Sequence, residues 1–97
     1  MAAPVDTMST MSLPRPSEDV VVQRVGEDLV LVHLKTNEIF ALNATGARFW
    51  ELLAQGKSRD EIEASLLFEY DVSREELERE IDSIVSQLKR HKMLHAV

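Results

Sequence analysis

Apolar positions along this chain change their spacing near its middle, and the change marks where strands give way to helices. Val20-Val21-Val22-Gln23-Arg24-Val25 is rich in β-branched residues and stops at Gly26, which predicts a strand. After the turn Gly26-Glu27-Asp28, the run Leu29-Val30-Leu31-Val32-His33-Leu34 is apolar at nearly every position. That pattern suits a central strand, paired on both edges and partly covered on both faces. A polar loop, Lys35 to Glu38, leads to Ile39-Phe40-Ala41-Leu42, a short third strand that completes an antiparallel meander.

From Asn43 the period becomes 3.6. Asn43 is placed to cap a helix in which Gly46, Phe49, Trp50 and Leu53 fall at i, i+3, i+4 and i+7, with Gly56 ending it. Ser58-Arg59-Asp60-Glu61 is a capping box and opens a second helix. Its apolar residues form two stripes, Ile62/Leu66/Tyr70 and Ala64/Leu67/Phe68, so wide an arc that neighbours are expected on both sides. A second capping box, Ser73-Arg74-Glu75-Glu76, opens a longer helix with Leu77, Ile81, Ile84 and Leu88 on one stripe and Val85 on its flank. The expected fold class is α+β: a three-stranded antiparallel meander followed by three helices, like a winged helix-turn-helix domain. It is expected to occupy residues 20–97. Residues 1–19 hold all three prolines and little that a core would use, and are expected to form a disordered tail.

Composition narrows what such a fold does. The 97 residues include no cysteine, which excludes disulfides, thiolate metal sites and thiol nucleophiles. Net charge is −6, the wrong sign for a surface that follows phosphate backbones. From Ser58 to Asp82, where a helix-turn-helix domain would meet DNA, ten acids face three bases, a net of −7. A winged-helix DNA-binding regulator is therefore the alternative reading, with nucleic acid not expected as a partner. No apolar run is long enough to span a membrane, and the N-terminus has neither the basic start nor the apolar stretch of a secretory signal. A cytoplasmic protein is expected.

Catalytic constellations are sparse. His33, set among apolar strand residues, reads as a satisfied structural histidine. His91 and His95 share a face only if the last helix runs that far; their neighbours Lys89, Arg90 and Lys92 offer no third ligand for a metal. The acids of the last helix read as a solvated face with dipole-favourable charges in the first turn. No phosphate-cradling glycine loop and no nucleophile elbow is present. No catalysis, cofactor or metal is expected.

The third strand is the more informative feature. Edge strands are normally blunted by lysine, proline or a bulge, and Ile39 to Leu42 contains none of these. Either another element covers it or a partner pairs with it, in which case an extended peptide would join as a fourth strand. The apolar residues of the last helix exceed a minimal seam and can supply a wall beside that edge.

The run Phe40-Ala41-Leu42-Asn43-Ala44-Thr45-Gly46-Ala47-Arg48-Phe49-Trp50-Glu51-Leu52-Leu53 resembles the LNxTGAxxWxLL signature of PqqD-like proteins, the RiPP recognition elements. The similarity continues through Gly56, Ser58, Glu61-Ile62, Tyr70-Asp71-Val72 and Leu88 to Met93-Leu94, about residues 20 to 95. Lys92 departs from it, standing where the family usually has glycine. The resemblance implies a module that binds the leader of a ribosomally made precursor peptide, paired antiparallel with the third strand in the groove beside the last helix. Carried over, Ile39, Phe40, Ala41 and Leu42 would be the pairing edge, and Glu80, Ile84, Val85, Gln87 and Leu88 the facing wall. Because a strand alternates, only Ile39/Ala41 or Phe40/Leu42 can face the groove. Implied partners are the precursor peptide and a separate maturation enzyme, first the leader protease of a lasso-peptide pathway and second a radical-SAM enzyme of a PQQ-type pathway.

Overall fold

The computed structural model describes residues 13–95. Its elements run β1 (Val20–Val25), β2 (Asp28–His33), β3 (Ile39–Leu42), α1 (Ala44–Ala54), α2 (Arg59–Glu69) and α3 (Arg74–Arg90). The sheet is antiparallel with β2 in the middle, in the order β1-β2-β3. The expected meander and three helices are all there, within a residue or two of the predicted ends. Gly26 turns β1 into β2 at φ 65°, a conformation that a residue with a Cβ adopts only under strain.

Alternation sorts the sheet into two faces. Leu29, Leu31 and His33 of β2 point to the helices and are buried, as is Leu42 of β3, while Val30 and Val32 are half-buried on the other face. The helices close the inner face with Phe49, Trp50, Ile62, Leu66, Leu77, Ile81 and Leu88, each under 5% exposed. Each such side chain contributes about 1.5–3 kcal/mol of burial.

Local chemistry fixes the helix starts as the sequence predicts. The Asn43 side chain accepts from the Gly46 N–H at 2.9 Å. Both capping boxes are reciprocal, Ser58 with Glu61 and Ser73 with Glu76. Gly46 matters for packing: a Cβ there would lie 3.0 Å from Leu42 Cδ2, so glycine lets the end of β3 settle against α1.

Two features differ from expectation, and a third is one on which the sequence raised none. Residues 1–12 of the expected tail lie outside the described residues, but from Leu13 the chain is placed against the domain. Pro16 bridges Leu94 in antiparallel fashion, Ser17 N–H donates to Met93 C=O at 3.0 Å, and Leu34 N–H donates to Asp19 C=O at 2.8 Å. Those partners come from distant parts of the chain, so no local pattern announced them. Second, α2 is not enclosed on both sides. Ile62 and Leu66 are buried and Leu67 is half-buried, but Phe68 is 92% exposed and Ala64 is exposed, because among the described residues nothing covers them. Third, Glu63 is buried, held by Arg59 at 2.9 Å and Arg74 at 3.3 Å. Burial works against the charge on Arg59, but its hydrogen bonds to Glu63 and Asp82 outweigh it and hold the guanidinium above its ordinary pKa. Arg48 is likewise held above its ordinary value, chiefly by its hydrogen bond to Glu69.

The end of α3 is a Schellman motif. Met93 N–H reaches Leu88 C=O at 2.8 Å and Lys92 N–H reaches Lys89 C=O at 3.1 Å, with Lys92 at φ 60°. The chain then turns back so that Met93 and Leu94 are buried in the core. The lysine therefore occupies the left-handed position that glycine usually fills, and the helix stops at Arg90.

Candidate peptide-binding groove

β3 is an edge strand, and its hydrogen-bond phase decides what it offers. His33 N–H donates to Glu38 C=O at 2.9 Å, which makes His33 and Glu38 a hydrogen-bonded pair. Stepping by two along the register makes Leu31/Phe40 and Leu29/Leu42 hydrogen-bonded pairs as well. Phe40 and Leu42 thus spend their backbone groups on β2. The N–H and C=O of Ile39 and Ala41 point away from the sheet, and among the described residues no backbone or side-chain group bonds to them.

The side chains follow the opposite rule. Phe40 is half-buried and Leu42 buried on the helical side, while Ile39, 68% exposed, and Ala41 lie on the outer face. Of the two alternatives that the sequence left open, Phe40/Leu42 is the pair turned toward the helices. A groove of about 200 Å³ separates β3 from α3, with Phe40, Ala41 and Leu42 on one side and Glu80, Ile84 and Gln87 on the other.

Two of the expected wall residues are elsewhere. Leu88 is fully buried, and Val85 is half-buried against the core; neither lines the groove. Ser83 does line it and was not anticipated; its hydroxyl accepts from the Gln87 amide at 3.1 Å. Helical geometry explains the exchange. Positions 80, 83, 84 and 87 fall at i, i+3, i+4 and i+7 and make one face, whereas 81, 85 and 88 make the adjoining face on the core. Counting from Glu80 would have found Ser83 and dropped Leu88. Ile39 contributes backbone to the edge, but its side chain is not part of the groove.

One end of the groove is fastened. His91 Nδ1 lies 2.6 Å from Glu38 Oε1, and its ring stands 5.2 Å from that of Phe40, tilted by 34°. This contact ties the loop before β3 to the C-cap of α3. His95 lies past the Schellman turn, where its N–H donates to Arg15 C=O at 2.6 Å, so His91 and His95 do not share a helical face. Among the described residues no three His, Asp or Glu side chains gather as a metal site would need, and no helix is long and apolar enough to cross a membrane. The groove offers outward main-chain donors and acceptors, apolar contacts from Phe40, Leu42 and Ile84, and a carboxylate, a hydroxyl and an amide on its far wall. Those groups suit an extended peptide.

Comparison with known proteins places this geometry. Residues 28–94 match the family described as "Coenzyme PQQ synthesis protein D (PqqD)". No curated protein matches the chain significantly. Among solved structures, "TbiB1 in Complex with the TbiA(beta) Leader Peptide" is 34% identical, with a TM-score of 0.80 over 86% of this chain and 96% of that one. "Lasso peptide synthetase B1 complexed with the leader peptide" is 29% identical, with a TM-score of 0.77 over 84% of this chain and 96% of that one. The chain therefore belongs to the PqqD family, as a PqqD-like RiPP recognition element.

Proposed function

We propose that this protein binds the leader segment of a precursor peptide as a fourth strand on β3 and presents it to a separate maturation enzyme in the cytoplasm. The observation that carries the proposal is the pair of outward-facing backbone units, Ile39 and Ala41, set beside the wall of Glu80, Ser83, Ile84 and Gln87. Main-chain bonds give such a site affinity, and the wall gives it specificity. Both structurally similar proteins are complexes with leader peptides, and one is named as part of a lasso peptide synthetase. That makes a lasso-pathway leader protease the enzyme best supported as recipient; the family's name keeps a PQQ-type radical-SAM enzyme second. The role is binding, with no reaction of its own. The acidic surface of α2 and α3 repels phosphate and speaks against the regulator reading.

The test is a calorimetric titration with the leader peptide encoded beside this gene. Saturable binding at micromolar concentration or tighter, with one peptide per chain, is the expected result. Absence of heat and of any shift in residues 38–43 at saturating peptide would refute the proposal.

A further inference from the structure

A second cavity lies away from the groove, where the segment before β1 meets the end of β2 and the end of α3. It measures about 730 Å³, and its lining includes His33, Lys89, Lys92, His95 and Asp19. In a chain of net charge −6, two lysines, Lys89 and Lys92, share this cavity. Neither lysine is in an ion pair among the described residues.

His33 supplies the second observation. It is 6% exposed, and its Nδ1 accepts two backbone N–H bonds, from Lys35 and Thr36, each at 3.2 Å. A nitrogen that accepts has no proton, so the ring's proton sits on Nε2. Among the described residues no protein group accepts that proton, and His33 lines the cavity. The result is a fixed N–H donor on a side chain more than nine-tenths buried, at a cavity that Lys89 and Lys92 also line.

Helix-end electrostatics account for Lys89 but not for the rest. Lys92 holds φ 60°, where an L-residue is strained and glycine is not, and its side chain lines this same cavity. Three of the last-turn carbonyls that would repel an anion are already occupied, those of Gln87, Leu88 and Lys89 accepting from His91, Met93 and Lys92. Asp19 offsets part of the positive charge, which favours a monoanion over a phosphate dianion.

We infer that this cavity is a carboxylate-binding site, with His33 Nε2–H as the fixed donor and Lys89 and Lys92 as the charge partners. Its volume is in the range that holds a small organic ligand, so the carboxylate is carried on an organic acid or on an acidic side chain of a bound peptide. The inference does not depend on strand addition at β3.

The test is an NMR titration of the full-length chain with sodium acetate at constant ionic strength, following the His33 ring nitrogens and the Ser17 and Lys92 amides. Saturable shifts at these sites are expected, and inorganic phosphate is expected to bind more weakly than acetate. Lys92→Gly, which relaxes the left-handed position, should melt no lower than the parent while weakening acetate binding about fivefold or more. Lys89→Ala should weaken it similarly. Linear, unsaturated shifts, an unchanged response in both variants, or a response to phosphate with none to acetate would each overturn the assignment. Two further arms identify the source. A leader peptide that moves the His33 ring signals, where the same peptide with its acids changed to amides does not, makes the peptide the carrier. A response to acetate but to neither peptide makes the ligand a free organic acid. Strand pairing is read separately at Ile39 and Ala41, so each reading fails on its own signals.

Discussion

Among the described residues, β1 and β3 each leave most of one side of their backbone without a partner, yet their surroundings differ. Along β1 the free outward residues are Val22 and Arg24, by the same two-residue alternation that leaves Ile39 and Ala41 outward on β3, whereas Val20 N–H donates to Ser17 C=O at 3.3 Å. β1 packs chiefly on β2, with Arg24 reaching across to Glu51 of α1, and most of its side chains are exposed. β3 has α1 against its end and α3 across a groove. Both edges carry the same hydrogen-bonding groups, so main-chain capacity alone does not distinguish them. The groove wall does, because it lets one edge read side chains as well as backbone.

The comparison is broken most severely by changes on the core side of α3. Leu88→Ala should destabilise the protein by about 2–4 kcal/mol in denaturant unfolding, since a fully buried leucine leaves a cavity behind. Its effect on leader affinity among the folded molecules should be small, which separates the core face of α3 from the wall. Next in size is Ala41→Pro. It deletes an outward donor while sparing the β2–β3 ladder, and should weaken leader binding by about 1–3 kcal/mol, roughly fivefold or more, with unchanged circular dichroism. Phe40→Pro, by contrast, removes an inward donor and should lower stability before it touches affinity. Ile84→Ala trims the wall and should weaken binding several-fold, about 1 kcal/mol, by calorimetry. The smallest effect is the sharpest control: Val22→Pro, the matched change on β1, should leave leader affinity unchanged. An equal loss for Val22→Pro and Ala41→Pro would mean that the two edges do not differ.

Most of the fold was legible because it rests on local signals. Ser58 with Glu61, and Ser73 with Glu76, announce helix starts by spacing alone, and the change of apolar period after Leu42 separates sheet from helices. The candidate edge was legible too, from the absence of blunting residues in β3. What escaped depends on contacts between distant segments. The strip from Leu13 to Asp19 has no periodicity, and its order comes from Leu34, Met93, Leu94 and His95. Phe68 extends an apolar run with Leu66 and Leu67, but only tertiary packing decides that α2 has one covered side. The wall was half legible: a helix face a single position round from the core stripe includes Ser83 and omits Val85 and Leu88. The role of His33 as a satisfied structural histidine was anticipated, whereas its second nitrogen becomes visible only through the loop that folds over the first.

The most direct measurement is amide hydrogen exchange, residue by residue, with and without saturating leader peptide. In the free protein the amides of Ile39 and Ala41 should exchange quickly and those of Phe40 and Leu42 slowly. On binding, Ile39 and Ala41 should become protected while Val22 and Arg24 on the opposite edge stay fast. If the peptide binds and Ile39 and Ala41 exchange as quickly as before, the leader is held without joining the sheet, and the account of β3 is wrong.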